Sequence, residues 1–273
     1  MEIAFGAKTD VGLKRSQNED SLCADHELGL YVVCDGMWGQ NAGEVASRLA
    51  VEVIQQHMWE ARHNANLPLV GEYDHRFSPQ TNRLASAIRL ANQVVRDAAE
   101  TQPGQEGMGT TVVSAVLTGQ MLSVAHVGDS RMYLIRGDTI RPLTADHSLV
   151  VEQVRRGLLT EEEAERSPLK NIITRALGSD ETVDVALDEV PLMPGDGLLL
   201  CSDGLTRGVK PAEILDTIRR EKEPLAASER LVERANAAAG EDNTTVILIT
   251  IQSPEGATDK HTWRTKRTNS PTI

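Results

Sequence analysis

Aromatic residues and cysteines are scarce in this chain of 273 residues. Only 3% of the residues are aromatic, so the core must consist mainly of aliphatic side chains and alanine. The three cysteines (Cys23, Cys34 and Cys201) are odd in number and form no C-x-x-C pair, which argues against a disulfide framework and against a zinc site. Cys34 and Cys201 lie in apolar runs and are expected in the core, which fits a reducing compartment.

Positive charge and long hydrophobic runs are also lacking. The net charge is −12 and the pI is near 5.1, which argues against a nucleic-acid binder with its basic surface. No apolar run approaches the ~20 residues that cross a bilayer, and the N-terminus lacks the pattern of a signal peptide. We therefore expect a cytoplasmic protein that contacts neither nucleic acid nor membrane. Solubility explains most of the acidic surplus, and bound metal ions would neutralise part of it.

The apolar pattern predicts short strands separated by blocks of helix. Runs rich in β-branched and aliphatic residues predict strands at 30–34, 110–117, 121–127, 132–135, 197–201 and 246–251. Apolar residues at three- and four-residue steps predict helices at 42–60, 82–100, 148–156, 160–166 and 225–239, with another starting at Pro211. Gly119-Gln120 predicts a hairpin turn and Gly128-Asp129 a tight connection. Because neighbouring strands form hairpins, we expect an α+β fold of antiparallel sheets with helices packed outside.

The chain shows no internal repeat and no linker long enough to separate two domains. We expect one domain over residues 1–252. Residues 253–273 are rich in Thr, Ser and Pro and carry four basic against two acidic side chains, which predicts a disordered tail. Such a tail could bind a partner or be phosphorylated, but a solvated terminus is the simpler interpretation.

Three aspartates stand at the ends of predicted strands that are far apart in the chain. Asp35-Gly36 and Asp203-Gly204 each follow an apolar strand, and Asp242-Asn243 precedes the last one. A single Asp-Gly pair is most often a turn. A carboxylate at the end of a buried strand, however, is costly unless it is paired, hydrogen-bonded or coordinated. Antiparallel neighbours could bring all three to one edge of the sheets, and three such coincidences favour a shared site.

Clustered aspartates repel one another unless a cation lies between them. Oxygen ligands without a His or Cys cluster favour Mg²⁺ or Mn²⁺ over Zn²⁺. Two such ions about 4 Å apart can share a water and lower its pKa for attack on a phosphoryl group. Gly36 has no side chain, so its carbonyl could approach a metal closely. Arg15, four residues before Glu19, could bind two phosphate oxygens, although an isolated arginine is most often a surface charge.

An ordered series of motifs then resembles the metal-dependent PP2C/PPM family of serine/threonine protein phosphatases, in its compact bacterial branch, over roughly residues 5–252. The motifs are Arg15, Asn18-Glu19-Asp20, Asp35-Gly36-Met37, Gly43-Glu44-Val45-Ala46-Ser47, Gly109-Thr110-Thr111, Gly128-Asp129-Ser130-Arg131, Ser202-Asp203-Gly204 and Asp242-Asn243-Thr244-Thr245. Each motif is weak alone, but their order is specific. The resemblance implies an α/β/β/α sandwich with metals at one edge of two antiparallel sheets.

The resemblance also implies roles for the metal ligands. Asp35 would bridge two metals, Asp203 and Asp242 would hold the first, and the Gly36 carbonyl would help to hold the second. Asp129, together with Asp203, matches the site of a third, weaker metal.

Other residues would act around these ligands. Glu19 and Asp20 would act through metal-bound water or as nearby carboxylates, and Arg15 matches the phosphate-binding arginine. The implied catalytic set is thus Arg15, Asp35, Asp203 and Asp242. The stretch between residues 144–148 and 174–178 is similar to the family's flap, and there we expect His147 to serve as a hydrogen-bonding residue rather than as an acid.

The chain departs from the family pattern beside the first aspartate. Trp38 stands where bacterial relatives have glycine, and Gln40 where they have histidine. We hypothesise that the Trp38 indole projects near the mouth of the site and alters substrate access. Met37 stands where many eukaryotic members carry a histidine that protonates the leaving group, so a metal-bound water or solvent must supply that proton.

The function implied by the resemblance is Mg²⁺- or Mn²⁺-dependent hydrolysis of phosphoserine and phosphothreonine in proteins by a metal-activated water. The expected cofactors are two such ions, with a third weaker site. The expected partners are phosphorylated proteins, in particular a Ser/Thr kinase and its substrates, and we expect a monomer. Two alternatives stay open: a catalytically weak binding module that keeps the fold, and a hydrolase of small phosphate esters.

Overall fold

The computed structural model describes residues 2–37, 42–238 and 240–252. Its strands are β1 (Glu2–Asp10), β2 (Asp20–Asp25), β3 (Leu30–Met37), β4 (Gly109–Thr110), β5 (Val112–Thr118), β6 (Met121–Val127), β7 (Arg131–Arg136), β8 (Thr139–Pro142), β9 (Ala186–Pro191), β10 (Gly197–Cys201) and β11 (Thr244–Gln252). Its helices are α1 (Ala42–His63), α2 (Pro79–Thr101), α3 (Leu149–Arg155), α4 (Glu161–Arg166), α5 (Asp203–Gly208), α6 (Pro211–Arg220) and α7 (Pro224–Ala238).

The strands form two antiparallel sheets. The first sheet has the order β1-β11-β10-β7-β8, so the two ends of the described chain pair with each other at one edge. The second sheet has the order β2-β3-β5-β6-β9, and the short β4 pairs with β3. Consecutive strands β5 and β6 join through the predicted hairpin, in which Gly119 has a φ of 61°.

Alternation along the strands builds three apolar layers. In β3, Val32 and Cys34 pack with α1 and α2, whereas Tyr31 and Val33 face the space between the sheets. A third cluster joins the outer face of the first sheet to α5, α6 and α7, and includes the fully buried Leu231 of α7. Helices therefore cover both outer faces of two packed sheets, which confirms the α/β/β/α sandwich.

Several elements agree with the sequence pattern and others differ from it. Strands β6 and β10 have the predicted bounds, and Thr160 with Glu163 forms the predicted capping box of α4. The predicted strand 110–117 is divided at Thr111 into β4 and β5, although both pair with β3 and the Thr111 N–H still donates to the Asp35 carbonyl of β3. Strands β1, β2, β8 and β9 and the short helix α5 were not predicted. All four strands contain charged residues that mask the apolar pattern.

The described chain ends with β11 at Gln252. Residues 253–273 lie outside the described residues, so the tail and the domain boundary at 252 stay predictions. Within the described ranges, no helix combines the length and the apolar character needed to span a bilayer.

Candidate metal centre

The chain brings the predicted aspartates together from both sheets. Asp35 lies near the end of β3 and is paired in register with Asp20 of β2. Asp203 begins α5 directly after β10, and Asp242 lies just before β11. Because β10 and β11 are antiparallel neighbours, the latter two aspartates share one end of the first sheet. Part of Asp35 is exposed, yet loss of water around its carboxyl raises its pKa well above the usual range, and the charges of Asp20, Asp203, Asp129 and Asp242 raise it further.

Neither Asp-Gly pair is a turn. Gly36 lies within β3, opposite Thr110, and a Cβ there would overlap the Gly43 carbonyl oxygen and lie 2.6 Å from that of Glu19. Gly204 lies in the first turn of α5, where a Cβ would overlap the Asn243 carbonyl oxygen. The turn interpretation is therefore wrong, and close approach of another backbone explains both glycines.

The protein supplies too few hydrogen bonds and positive charges to balance the cost of burying the carboxyls around this point. Burial raises the pKa of Asp20 to about 7 despite hydrogen bonds from Thr245 and Ser202, and burial together with the Asp203 charge raises that of Asp129 to about 7. Burial also raises the pKa of Asp203 and of Glu19. One oxygen of each of three carboxyls is buried without a hydrogen-bond partner: Asp20 Oδ1, Asp129 Oδ1 and Asp203 Oδ1.

The Gly-Thr-Thr and Gly-Asp-Ser motifs hold the end of β3. The Asp35 N–H donates to Thr111 Oγ1 at 3.1 Å, and Thr110 Oγ1 donates to the Asp35 carbonyl at 2.9 Å. Thr111 Oγ1 is also hydrogen-bonded to Ser130 Oγ at 2.7 Å. Asp35 and Asp129 are thus positioned through one network of buried hydroxyls.

Asn243 and Ser202 connect the two sheets below the carboxylates. Asn243 Oδ1 accepts from the Glu19 N–H at 2.8 Å, while its amide donates to the carbonyls of Val11 and Gln17 at 2.9 Å each. Ser202 Oγ donates to Asp20 Oδ2 at 2.8 Å. The loop that carries Arg15 and Glu19, together with the start of β2 at Asp20, is thereby fixed to the first sheet.

Two arginines reach the cluster, of which the sequence pattern indicated only Arg15. Arg15 lies 2.9 and 3.0 Å from the two carboxylate oxygens of Asp242, with about half of its side chain exposed. Arg207 of α5 donates to Asp242 Oδ2 at 2.9 Å and also forms an ion pair with Asp203. Its spacing of four residues from Asp203 on a helix is the signal that could have revealed it.

His147 has the structural role expected for it. Its Nδ1 accepts from the Gly128 N–H at 3.1 Å, and its ring stacks on His126 with 4.7 Å between the ring centroids. Burial lowers the pKa of His147 to about 4, so the ring is neutral at pH 7. Trp38 and Gln40 lie outside the described residues.

The residues that converge here fit hard divalent cations. Within the ranges 2–37, 42–238 and 240–252, no group of three carboxylate, His or Cys side chains stands ready as a ligand set. At Asp203 and Asp242, the guanidinium groups of Arg15 and Arg207 occupy carboxylate oxygens. Oxygen-only donors, three unpartnered buried oxygens and like charges that raise one another's pKa are nevertheless what a divalent cation would satisfy.

Comparison with known proteins agrees with this geometry. A sequence model described as Protein phosphatase 2C matches residues 14–242. The chain is 37% identical over 245 residues to the serine/threonine phosphatase stp of Listeria innocua, covering 89% of this chain and 93% of that protein.

Solved structures show the same likeness. The crystal structure of the Mycobacterium tuberculosis serine/threonine phosphatase PstP/Ppp has a TM-score of 0.80 and 33% identity, covering 92% of this chain and 99% of that one. A structure of the PstP catalytic domain in complex with two manganese ions has a TM-score of 0.76 and 33% identity, with the same coverage. The chain therefore belongs to the protein phosphatase 2C family.

Proposed function

We propose that this chain is a metal-dependent protein phosphatase that hydrolyses phosphoserine and phosphothreonine in proteins. Membership of the protein phosphatase 2C family and the naming of its relatives as serine/threonine phosphatases support the reaction. The observation that carries the proposal is the convergence of five aspartates whose charges affect one another, three of which have a buried oxygen without a hydrogen-bond partner. Such a site is unfavourable without cations and is suited to phosphoryl chemistry with them.

We assign the metal-binding role to residues from both sheets. Asp35 and the Gly36 carbonyl would contribute from β3, and Asp203 and Asp242 from the first sheet. Asp129, whose buried Oδ1 is unpartnered, would complete a third and weaker site with Asp203. When bound, Mn²⁺ or Mg²⁺ supplies Lewis acidity toward water and toward the phosphoryl oxygens.

Glu19 and Asp20 would lie next to these ligands without binding the metals directly. Asp20 keeps one oxygen bonded to Ser202 and the other unpartnered, and the main chain of Glu19 is bonded to Gly36 and Ser47. We infer that both side chains hold ordered water beside the metals rather than replace it. The raised pKa of Asp20, about 7, suits a group that exchanges a proton near neutral pH, and burial raises the pKa of Glu19 in the same direction.

Arg15 would bind the substrate phosphate. It lies on the solvent side of Asp242, and its fork of donors matches two phosphoryl oxygens. Met37 has no proton to give, and His147 Nδ1 is committed to the Gly128 N–H, so we assign protonation of the leaving serine or threonine oxygen to solvent.

The wider setting is also a proposal. We propose that the chain opposes a Ser/Thr kinase by acting on that kinase and its substrates, that it is a monomer, and that it is cytoplasmic. Its three cysteines are free and buried, as expected in a reducing compartment.

A metal titration tests the proposed function. Phosphate release from a phosphothreonine peptide should rise with Mn²⁺ and disappear in EDTA and in Asp203→Asn. The matched control is Asp216→Asn, which removes an exposed carboxylate of α6 that pairs with Arg220 and should leave the rate unchanged. Absence of turnover with any divalent metal would favour a binding module, and faster turnover of small phosphate esters than of phosphopeptides would favour the ester hydrolase.

A further inference from the structure

Arg207 is placed by the fold directly against two of the proposed metal ligands. It lies one helical turn after Asp203 in α5, a helix whose first turn is pressed against the Asn243 backbone at Gly204. One guanidinium nitrogen donates to Asp242 Oδ2 at 2.9 Å, and another pairs with Asp203. About one third of the Arg207 side chain is exposed, so the ion pairs are partly sheltered from water.

The ion pairs of Arg207 occupy oxygens that a metal would need. With Arg15 on its other side, Asp242 has both of its oxygens bound to guanidinium groups. Asp203 gives one oxygen to Arg207 and keeps the other buried without a partner. A divalent cation lies about 2.0–2.6 Å from a carboxylate oxygen. It would repel a guanidinium that shares the same carboxylate, so both cannot bind there at full strength.

The charges confirm how closely Arg207 belongs to this cluster. Burial acts to lower the pKa of Arg207, but the carboxylates of Asp203 and Asp242 outweigh it and the pKa is raised. In turn, burial raises the pKa of Asp203 while the Arg207 charge lowers it. The guanidinium therefore neutralises part of the negative charge that Asp203 and Asp242 bring together.

We propose that Arg207 is an internal counter-cation that competes with divalent metal for Asp203 and Asp242 and so sets the metal affinity of the site. The inference rests on the proposed function, because it takes these aspartates to be metal ligands. In the metal-free protein Arg207 stabilises the carboxylates of the first sheet. On metal binding it must release at least one of them, so part of the binding free energy is used to displace it.

The test measures Mn²⁺ binding rather than catalysis. Full-length wild type, Arg207→Gln and Arg207→Lys are stripped with EDTA, dialysed and titrated with Mn²⁺ by calorimetry. The glutamine variant should bind Mn²⁺ at least about tenfold more tightly, equivalent to about 1.4 kcal/mol. The lysine variant keeps the charge without the two-pronged donor, and its affinity should lie between the two. Arg230→Gln removes an exposed arginine of α7 that pairs with Glu233 and should match wild type.

Thermal unfolding gives a second readout and a check of folding. In EDTA, Arg207→Gln should melt a few degrees below wild type, because the aspartates lose their counter-cation, and saturating Mn²⁺ should reverse that difference. Mn²⁺ affinity that is unchanged or weaker in both Arg207 variants would overturn the inference while leaving the proposed function intact. The outcome would be different if inorganic phosphate inhibited peptide hydrolysis less strongly in the Arg207 variants while their Mn²⁺ affinity stayed unchanged. Arg207 would then be a phosphate ligand, and the inference would be overturned. Failure of wild type to bind Mn²⁺ would overturn both proposals.

Discussion

The two halves of the carboxylate site use the same Asp-Gly dipeptide in different ways. In the β3 half, Asp35 lies in a strand opposite another aspartate, Asp20, and four neighbouring aspartates raise its pKa. The charge of Arg207 also reaches Asp35, but the two form no ion pair among the described residues. In the α5 half, Asp203 begins a helix and carries its own cation, Arg207, four residues later. The β3 half therefore depends on an added cation, whereas the α5 half is partly neutralised by the fold itself.

The largest expected effects come from replacing Asp35 or Asp203 by asparagine, one from each half of the site. Asp35→Asn and Asp203→Asn should both lower kcat/KM on a phosphothreonine peptide by about 10³-fold or more, because each removes a proposed metal ligand. Their metal-free stabilities should differ. Both pKa values are raised, so neutralisation stabilises the fold in each case, but the gain should be larger for Asp35, which forms no ion pair with an arginine among the described residues.

Melting temperatures in EDTA at pH 8 measure this difference. The order expected is Asp35→Asn above Asp203→Asn above wild type. A larger rise in melting temperature for Asp203→Asn than for Asp35→Asn would mean that Arg207 does not offset the negative charge of Asp203. The proposed difference between the two halves would then be wrong.

The two glycines should be almost equally intolerant of a side chain. Gly36→Ala and Gly204→Ala each place a methyl group against a backbone carbonyl that cannot move independently. We expect each to lose about 3 kcal/mol of unfolding free energy in urea, at the upper end of the cost of overpacking. The control is Gly197→Ala in β10, whose nearest contact would be Ile135 Cβ at 3.3 Å, and it should lose about 1 kcal/mol or less. Mild effects at both sites would show that the Asp-Gly pairs are not fixed by backbone packing.

The sequence predicted the buried elements better than the edges. Strands β6 and β10 are short, apolar and bounded by turn residues, and their bounds were predicted correctly. Strand β1 was missed, because its strand character depends on pairing with β11 and on the packing of Gly6 against the α7 backbone. Neither interaction leaves a local pattern in the sequence.

The same limit applies at the site. Strand ends were enough to indicate that Asp35, Asp203 and Asp242 could meet, because antiparallel pairing brings such ends together. The reason for Gly36 and Gly204 lies in contacts with distant backbone, which no local sequence pattern shows. Arg207 was overlooked because α5 is only six residues long and shows no apolar periodicity.

The stability of the metal-free protein should depend on pH through Asp20, which lies opposite Asp35 in the β3 half. The pKa of Asp20 is raised by burial from 3.8 to about 7, so the folded state binds its proton more tightly than the unfolded state. Its contribution to stability is therefore fully present below pH 3.8 and is lost as the pH rises toward and through 7. Asp20→Asn mimics the protonated form and removes that loss.

Asp20→Asn should therefore already melt above wild type at pH 5 in EDTA, because the unfolded carboxyl is ionised there. Its advantage should grow by about 2–3 kcal/mol between pH 5 and pH 8, at about 1.4 kcal/mol per pH unit up to the folded pKa. Taking the difference between the two proteins cancels the contribution of the buried histidines, which acts in the opposite direction. A constant gap across this range would show that Asp20 titrates in the folded state as it does in the unfolded chain.

The smallest expected effect concerns Ser202, the hydroxyl that joins the two halves. Ser202 Oγ donates to Asp20 Oδ2 and accepts from the Thr245 N–H at 2.9 Å, so Ser202→Ala should cost about 1 kcal/mol. Ser228→Ala is a matched control, since that buried hydroxyl donates only to main-chain carbonyls of Gly6 and Pro224. Both variants should lose similar stability at pH 5, where Asp20 is largely protonated. Only Ser202→Ala should lose more by pH 8, because burial already raises the Asp20 pKa and removal of this donor raises it further. Parallel pH profiles for the two variants would mean that the serine supports the fold without tuning the carboxylate.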